Sequence, residues 1–185
     1  MPLTSIVGLD HLVVLVRDLD RAQARFEALG FHLTPRGFHV PLPTRNHTAM
    51  FAENYIELIH YPPEAIAASR YAQLPVDYEG PVIVGLCPTD SAIVHDELAA
   101  LGFDPPPLSE GGRPVSTPNG PRQAAWRNQR FPNNAPGLPA LFSCGHLTRE
   151  LVYRQEWMDH PNGALSVTEI VLVHPQPESL AAAYV

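Results

Sequence analysis

The feature that most constrains this chain is a repeated tetrapeptide: Ala28-Leu29-Gly30-Phe31 returns as Ala100-Leu101-Gly102-Phe103, an offset of 72 residues. A second copy of a motif at fixed spacing signals duplicated supersecondary units. The same offset carries Asp18 onto Asp90 and the apolar run 12–16 onto 84–88, overlapping the apolar run 82–87. Residues 9–16 are aliphatic and nearly uncharged, which reads as a buried strand. Asp18 then stands where a helix N-cap belongs, Ala22, Phe26 and Leu29 follow at helical spacing, and Gly30 takes the C′ position, giving a helix over residues 19–29. Three extended segments follow, at 31–38, 48–53 and 55–61, with Asn54 at a turn. Copy one is therefore βαβββ. Copy two offers a strand at 82–87, a helix at 91–101 capped by Asp90, and strands at 123–131 and 140–146.

The expected fold is α+β, with tandem βαβββ units forming a curved mixed sheet in one domain. The first unit spans 1–61, a helical connector 62–80, the second unit 81–147 and a second connector 148–164. The first connector reads as an Ala-rich helix between prolines, and residues 149–157 as a short helix. Segment 104–121 holds Pro105-Pro106-Pro107, Gly111-Gly112 and Pro118-Asn119-Gly120, and reads as a long irregular loop. A third copy begins at 165, with a buried strand at 167–173 and a helix at 178–184, and is expected to be a truncated unit.

With 45% hydrophobic and 17% charged residues the chain has material for a core, and its net charge of −7 disfavours a nucleic acid partner. No apolar run approaches the ~20 residues of a membrane span, and a cytoplasmic protein is expected. Cys87 and Cys144 form no C-x-x-C pair and read as buried small hydrophobes. Phosphate-loop, nucleophile-elbow and H-E-x-x-H motifs are absent from the sequence.

Tandem βαβββ units with Leu9-Asp10-His11-Leu12-Val13-Val14 in the first strand and Tyr55-Ile56-Glu57-Leu58-Ile59 in the last resemble the vicinal oxygen chelate superfamily, the glyoxalase, bleomycin-resistance and extradiol dioxygenase proteins. Pro35-Arg36-Gly37-Phe38-His39, Arg45-Asn46-His47 and His160-Pro161-Asn162-Gly163-Ala164 are similar to the glyoxalase-like domain branch. The resemblance covers about residues 8–175. It implies a metalloenzyme that chelates vicinal oxygens of a small metabolite, by isomerase, lyase or dioxygenase chemistry. The divalent ion would be iron, manganese, nickel or zinc, and the implied ligands are His11 and Glu57, with His146 as a third.

The offset puts Ile83 where the second unit's histidine belongs, and Ser143 and Cys144 near its acid; Glu169 aligns with His11 in the third copy. That departure supports a second reading, a metal-free protein that sequesters a small molecule as bleomycin-resistance proteins do. Arg45, Asn46 and His47 are expected on a loop rim before the third strand, where they would meet a polar substrate. Tyr55 shares the Glu57 face of its strand by period-two alternation, and Trp126 is a candidate pocket wall. His160-Pro161-Asn162-Gly163 has the chemistry of a tight turn. A homodimer is expected, since such units often complete their sheets by pairing and an unfinished third unit would leave an edge strand.

Overall fold

The computed structural model describes residues 3–39, 42–69, 71–132 and 139–178. Unit one runs β1 (Ile6–Leu15), α1 (Leu19–Ala28), β2 (Gly37–Phe38), β3 (Arg45–Met50) and β4 (Tyr55–His60), and α2 (Pro63–Ala67) follows. Unit two runs β5 (Gly80–Pro88), α3 (Ser91–Ala100), β6 (Ser109–Thr117), β7 (Gly120–Arg130) and β8 (Ala140–His146). A turn of helix α4 (Arg149–Val152) and a 3-10 turn (Gln155–Trp157) complete the elements.

The repeat is literal in three dimensions. Asp18 accepts from the Arg21 backbone N–H and Asp90 from that of Ala92, so each helix begins on its aspartate. Each ends in a glycine at positive φ, Gly30 at 81° and Gly102 at 87°, which is why the shared tetrapeptide needs its glycine.

All strands join one curved, nearly closed mixed sheet of order β2-β3-β4-β1-β5-β8-β7-β6. Within each unit the first and last strands are parallel neighbours, β1 with β4 and β5 with β8. The units meet through antiparallel β1 and β5, where Leu12 lies opposite Val84. The offset of 72 makes those two residues equivalent, so an approximate two-fold axis passes between them. The two units thus join in one sheet within a single chain, with β2 and β6 as its edges. Arg113 on edge strand β6 lies against Gly37 on the opposite edge strand β2, across the sheet's open seam.

Several expected elements change. Segment 104–121, read as a loop, contributes β6, which pairs β7 from Ser109↔Asn128 to Thr117↔Gly120. Pro114 is tolerated there because β6 is an edge strand. Gly111 is glycine because a Cβ would overlap the Trp126 indole. The connector helix shrinks to five residues, α2, and the one at 149–157 divides into α4 and the 3-10 turn. The buried strand expected at 167–173 is not formed: Val171 is 71% and Val173 94% exposed, with no ladder partner among the described residues. The Asn54 side chain instead donates to the Val167 carbonyl and accepts from its N–H, at 3.0 and 2.9 Å. Of the helix expected at 178–184, residues 179–184 lie outside the described residues.

Three apolar clusters set the shape of the cup. Val16, Leu19, Ala22, Ala49 and Leu58 pack α1 on the convex face. On the concave face, Leu15 and Ile59 join a cluster with Ile66 and Tyr71, while Met50 and Tyr55 join Ala124, Leu151 and Val152. Along β4 the concave residues are Tyr55, Glu57 and Ile59, so Glu57 stands between two apolar plugs.

Candidate active site

Between those plugs lies a cavity of about 320 Å³ whose walls carry His11, Glu57, Asn46, His39, Trp126 and His146 among others. His11 is 3% exposed and Glu57 6%, so both pay desolvation and need polar partners. Asn46 Nδ2 donates to Glu57 Oε1 at 2.7 Å. His39 brings its Nε2 to 3.6 Å from that same oxygen, its Nδ1 being occupied by Thr44 Oγ1 at 2.7 Å. On the other carboxylate oxygen, His11 Nε2 stands 3.8 Å away, beyond hydrogen-bond length.

Asp10 orients the His11 ring. The ladder slips between Leu9 and His11, a bulge that frees Asp10 from strict alternation and lets consecutive side chains serve one site. His11 Nδ1–H donates to Asp10 Oδ2 at 2.6 Å, which leaves Nε2 as the atom presented to the cavity. Tyr55 stacks on the imidazole at 4.5 Å and 8°, and Phe142 meets it edge-on at 5.3 Å. Gly85 completes the seat, since a Cβ there would fall 2.6 Å from His11 Cε1.

Asp10 itself is fully buried. It accepts further from His146 Nε2 at 3.1 Å and from the Tyr153 hydroxyl at 2.9 Å. Burial pushes its carboxyl up, but the hydrogen bonds and charges of His11 and His146 outweigh that and hold it well below the usual carboxylate range. Burial, then the Asp10 charge, push the hydroxyls of Tyr55 and Tyr153 and the Cys144 thiol up. Cys144 Sγ lies 3.6 Å from His146 Nε2, and Asp10, Cys144 and His146 converge their ligand atoms within 4.8 Å of one another. His146 Nδ1 is buried without a hydrogen-bond partner among the described residues.

Of the sequence candidates, His11, Glu57, Asn46, Tyr55, Trp126 and His146 line the one cavity. Arg45 and His47 do not. The triplet Arg45-Asn46-His47 is part of β3, not a loop, so alternation turns only Asn46 inward. Arg45 is exposed over Phe38, and His47 accepts from Arg36 and donates to the Thr34 carbonyl on the other face. His146 meets His11 at its Asp10 edge, opposite the edge facing Glu57. Glu169 is exposed outside the cavity. His160 is structural: Nε2–H donates to the Met50 carbonyl and Nδ1 accepts from the His32 N–H.

Register also relocates the second unit's acid. Equivalence of His11 with Ile83 carries Tyr55 onto Ala140 and Glu57 onto Phe142, not onto Ser143 or Cys144. Both unit-two counterparts of the His11–Glu57 pair are therefore apolar. Sequence reasoning passed over Asp10 and Cys144 as donors; Asp10 stood next to His11, but only the bulge reveals its direction.

The glyoxalase-like domain family matches residues 9–185. The chain belongs to that family. The resemblance to the vicinal oxygen chelate superfamily holds, and the cup is the glyoxalase-like one. None of the curated proteins matches the sequence. Among solved structures, a hypothetical protein from Staphylococcus aureus aligns with TM-score 0.63 at 16% identity, over 82% of this chain and 64% of that one. The glyoxalase-like chain thus spans just under two thirds of that protein's length. Methylmalonyl-CoA epimerase from Mycobacterium tuberculosis aligns with TM-score 0.55 at 18% identity, over 78% of this chain and 91% of that one. A methylmalonyl-CoA epimerase in complex with methylmalonyl-CoA and ammonium aligns with TM-score 0.54 at 16% identity, over 76% and 94%. These likenesses show the fold. No helix among the described residues is long and apolar enough to cross a membrane.

Proposed function

We propose that this protein is a cytoplasmic glyoxalase-like enzyme that acts on a small, oxygen-rich, anionic metabolite in the cup, with His11 and Glu57 at the reacting centre. The observation that carries this reading is the bare His11 Nε2, aimed into the cavity 3.8 Å from a buried carboxylate. The donor set fits a divalent cation: an imidazole nitrogen fixed through Asp10, a carboxylate fixed through Asn46, and His39 Nε2 beside that carboxylate. Such an ion, when bound, supplies Lewis acidity to adjacent substrate oxygens.

The chain's own groups do the rest. Asp10 holds the His11 proton at Nδ1, so Nε2 keeps its lone pair toward the cavity. Asn46 occupies one Glu57 oxygen and leaves Oε2 free to bind or to take a proton. Tyr55 and Trp126 give the cavity apolar walls that exclude water. Arg113 and Arg130 also line it and enter no ion pair among the described residues, which suits a substrate with a negative group. The volume lies at the low end of the ~300–1,000 Å³ of ligand pockets.

A manganese titration followed by electron paramagnetic resonance tests this. Saturable binding that weakens at least about tenfold in both His11→Ala and Glu57→Ala is expected, the usual order for a lost ligand. Binding unchanged in both variants would remove the metal from the reading. Ile83 and Phe142 favour one competing reading, a metal-free sequestering cup. In that case small oxygen-rich ligands would raise thermal stability equally with and without chelator.

A further inference from the structure

Asp10, Cys144 and His146 converge in a cluster that the family resemblance, which takes only His146, and the proposed function, which uses Asp10 only to orient His11, leave unexplained. We infer that these three side chains make a second cation site, with thiolate, imidazole and carboxylate donors, that takes zinc or a similarly thiophilic divalent ion. It stands on its own observations and holds whether or not His11 and Glu57 bind a metal.

Two of the three donor separations match a tetrahedral ion, and all three donors lie within 4.8 Å of one another. Zn–S and Zn–N lengths of about 2.3 and 2.05 Å at a tetrahedral angle separate sulfur from nitrogen by about 3.6 Å, and nitrogen from a carboxylate oxygen by about 3.3 Å. Cys144 Sγ and His146 Nε2 are 3.6 Å apart, and His146 Nε2 and Asp10 Oδ2 are 3.1 Å apart. Cys144 and His146 come from alternate positions of β8 and so share its concave face. Asp10 reaches them through the bulge in β1.

The surroundings position the donors. Tyr153 holds Asp10 Oδ1, and the Arg149 guanidinium stands 3.8 Å from it, which turns Oδ2 toward His146. His146 is 6% exposed at its side chain, with Nδ1 lacking a partner among the described residues. Binding replaces the Cys144 S–H bond with an S–metal bond and releases that proton to solvent, moves the His146 proton from Nε2 to the unpartnered Nδ1, and takes Asp10 already ionised. Three protein donors leave a fourth position open, as in catalytic zinc sites.

Cobalt(II) added to the intact protein tests the site without any activity assay. A thiolate-to-cobalt charge-transfer band in the near ultraviolet is expected, together with the intense visible bands of four-coordination. The sulfur band should vanish in Cys144→Ser and persist in Cys87→Ser, His11→Ala and Glu57→Ala. The His11–Glu57 site offers only nitrogen and oxygen, so it cannot produce the sulfur band. X-ray absorption of the zinc-loaded wild type covers the case in which Cys144→Ser fails to fold, and a sulfur neighbour at about 2.3 Å is expected. A cobalt complex without the sulfur band, a band that survives Cys144→Ser, or a zinc shell of nitrogen and oxygen alone would overturn the proposal.

Discussion

Replacing Gly85 by alanine should disable His11 without altering any polar group. The added Cβ would lie 2.6 Å from His11 Cε1, 2.7 Å from Nδ1 and 3.1 Å from Nε2, where ordinary contact begins at 3.4 Å. The ring must retreat by about 1 Å to recover van der Waals distance. Its exits are closed by Tyr55 stacked at 4.5 Å, Phe142 edge-on at 5.3 Å and Asp10 at 2.6 Å. Overpacking of this kind costs about 1–3 kcal/mol, a fall in Tm of roughly 2–12 °C for a domain of this size. Displacement of a reacting group by about 1 Å costs on the order of 100-fold in rate. Calorimetry measures the first effect, and the manganese titration reads the same displacement of His11 as weakened metal binding. Gly8→Ala is the control, since a Cβ there meets nothing within 4 Å, and its stability should change by less than about 0.5 kcal/mol. A Gly85→Ala protein with wild-type Tm and metal affinity would refute the seating of His11 over Gly85.

Further expectations follow from the same geometry. Asp10 is held below its ordinary value when folded, so its contribution to stability is complete above its unfolded pKa near ~3.9 and is lost as pH falls through the folded value. The stability gap between wild type and Asp10→Asn, from urea unfolding, should narrow below about pH 4; a gap that widens there contradicts the sign. Tyr153→Phe removes one donor from Asp10 Oδ1 and should cost about 1–3 kcal/mol, with cobalt affinity reduced by about tenfold or more; equal affinity would show that Tyr153 does not position Asp10. Leu58→Ala, at a fully buried position under α1, should cost about 2–5 kcal/mol while leaving manganese affinity unchanged once folded. A loss under about 1 kcal/mol would show that the convex cluster is not load-sharing core.

The duplicated plan was legible because its signals are local. Asp18 and Asp90 act through their own helix starts, and Gly30 and Gly102 through their own φ, so a tetrapeptide and two aspartates reveal two units. Strand β6 was hidden because its proline and glycines are loop formers by propensity, and only its edge position and the Trp126 ring against Gly111 make them acceptable. The tail at 167–173 failed in the opposite sense, since its aliphatic run has the composition of a strand but no neighbouring strand to pair with among the described residues.

For the site, His11 and Glu57 could be named because they stand in the strand motifs that carry the family resemblance, and period-two alternation along β4 turned Glu57 inward. Arg45 and His47 were misplaced by a three-residue error in where β3 begins, which exchanges a loop rim for alternating faces. Asp10 required knowledge of a bulge, and Cys144 required the register of β5 on β8. Both are tertiary facts with no local signature.

The most direct measurement is anomalous diffraction from crystals of the protein grown with manganese. A manganese peak is expected between His11 Nε2 and the Glu57 carboxylate, absent from Glu57→Ala crystals. A cup without such a peak at saturating manganese, with His11 and Glu57 still placed as described, would contradict the proposed metal site.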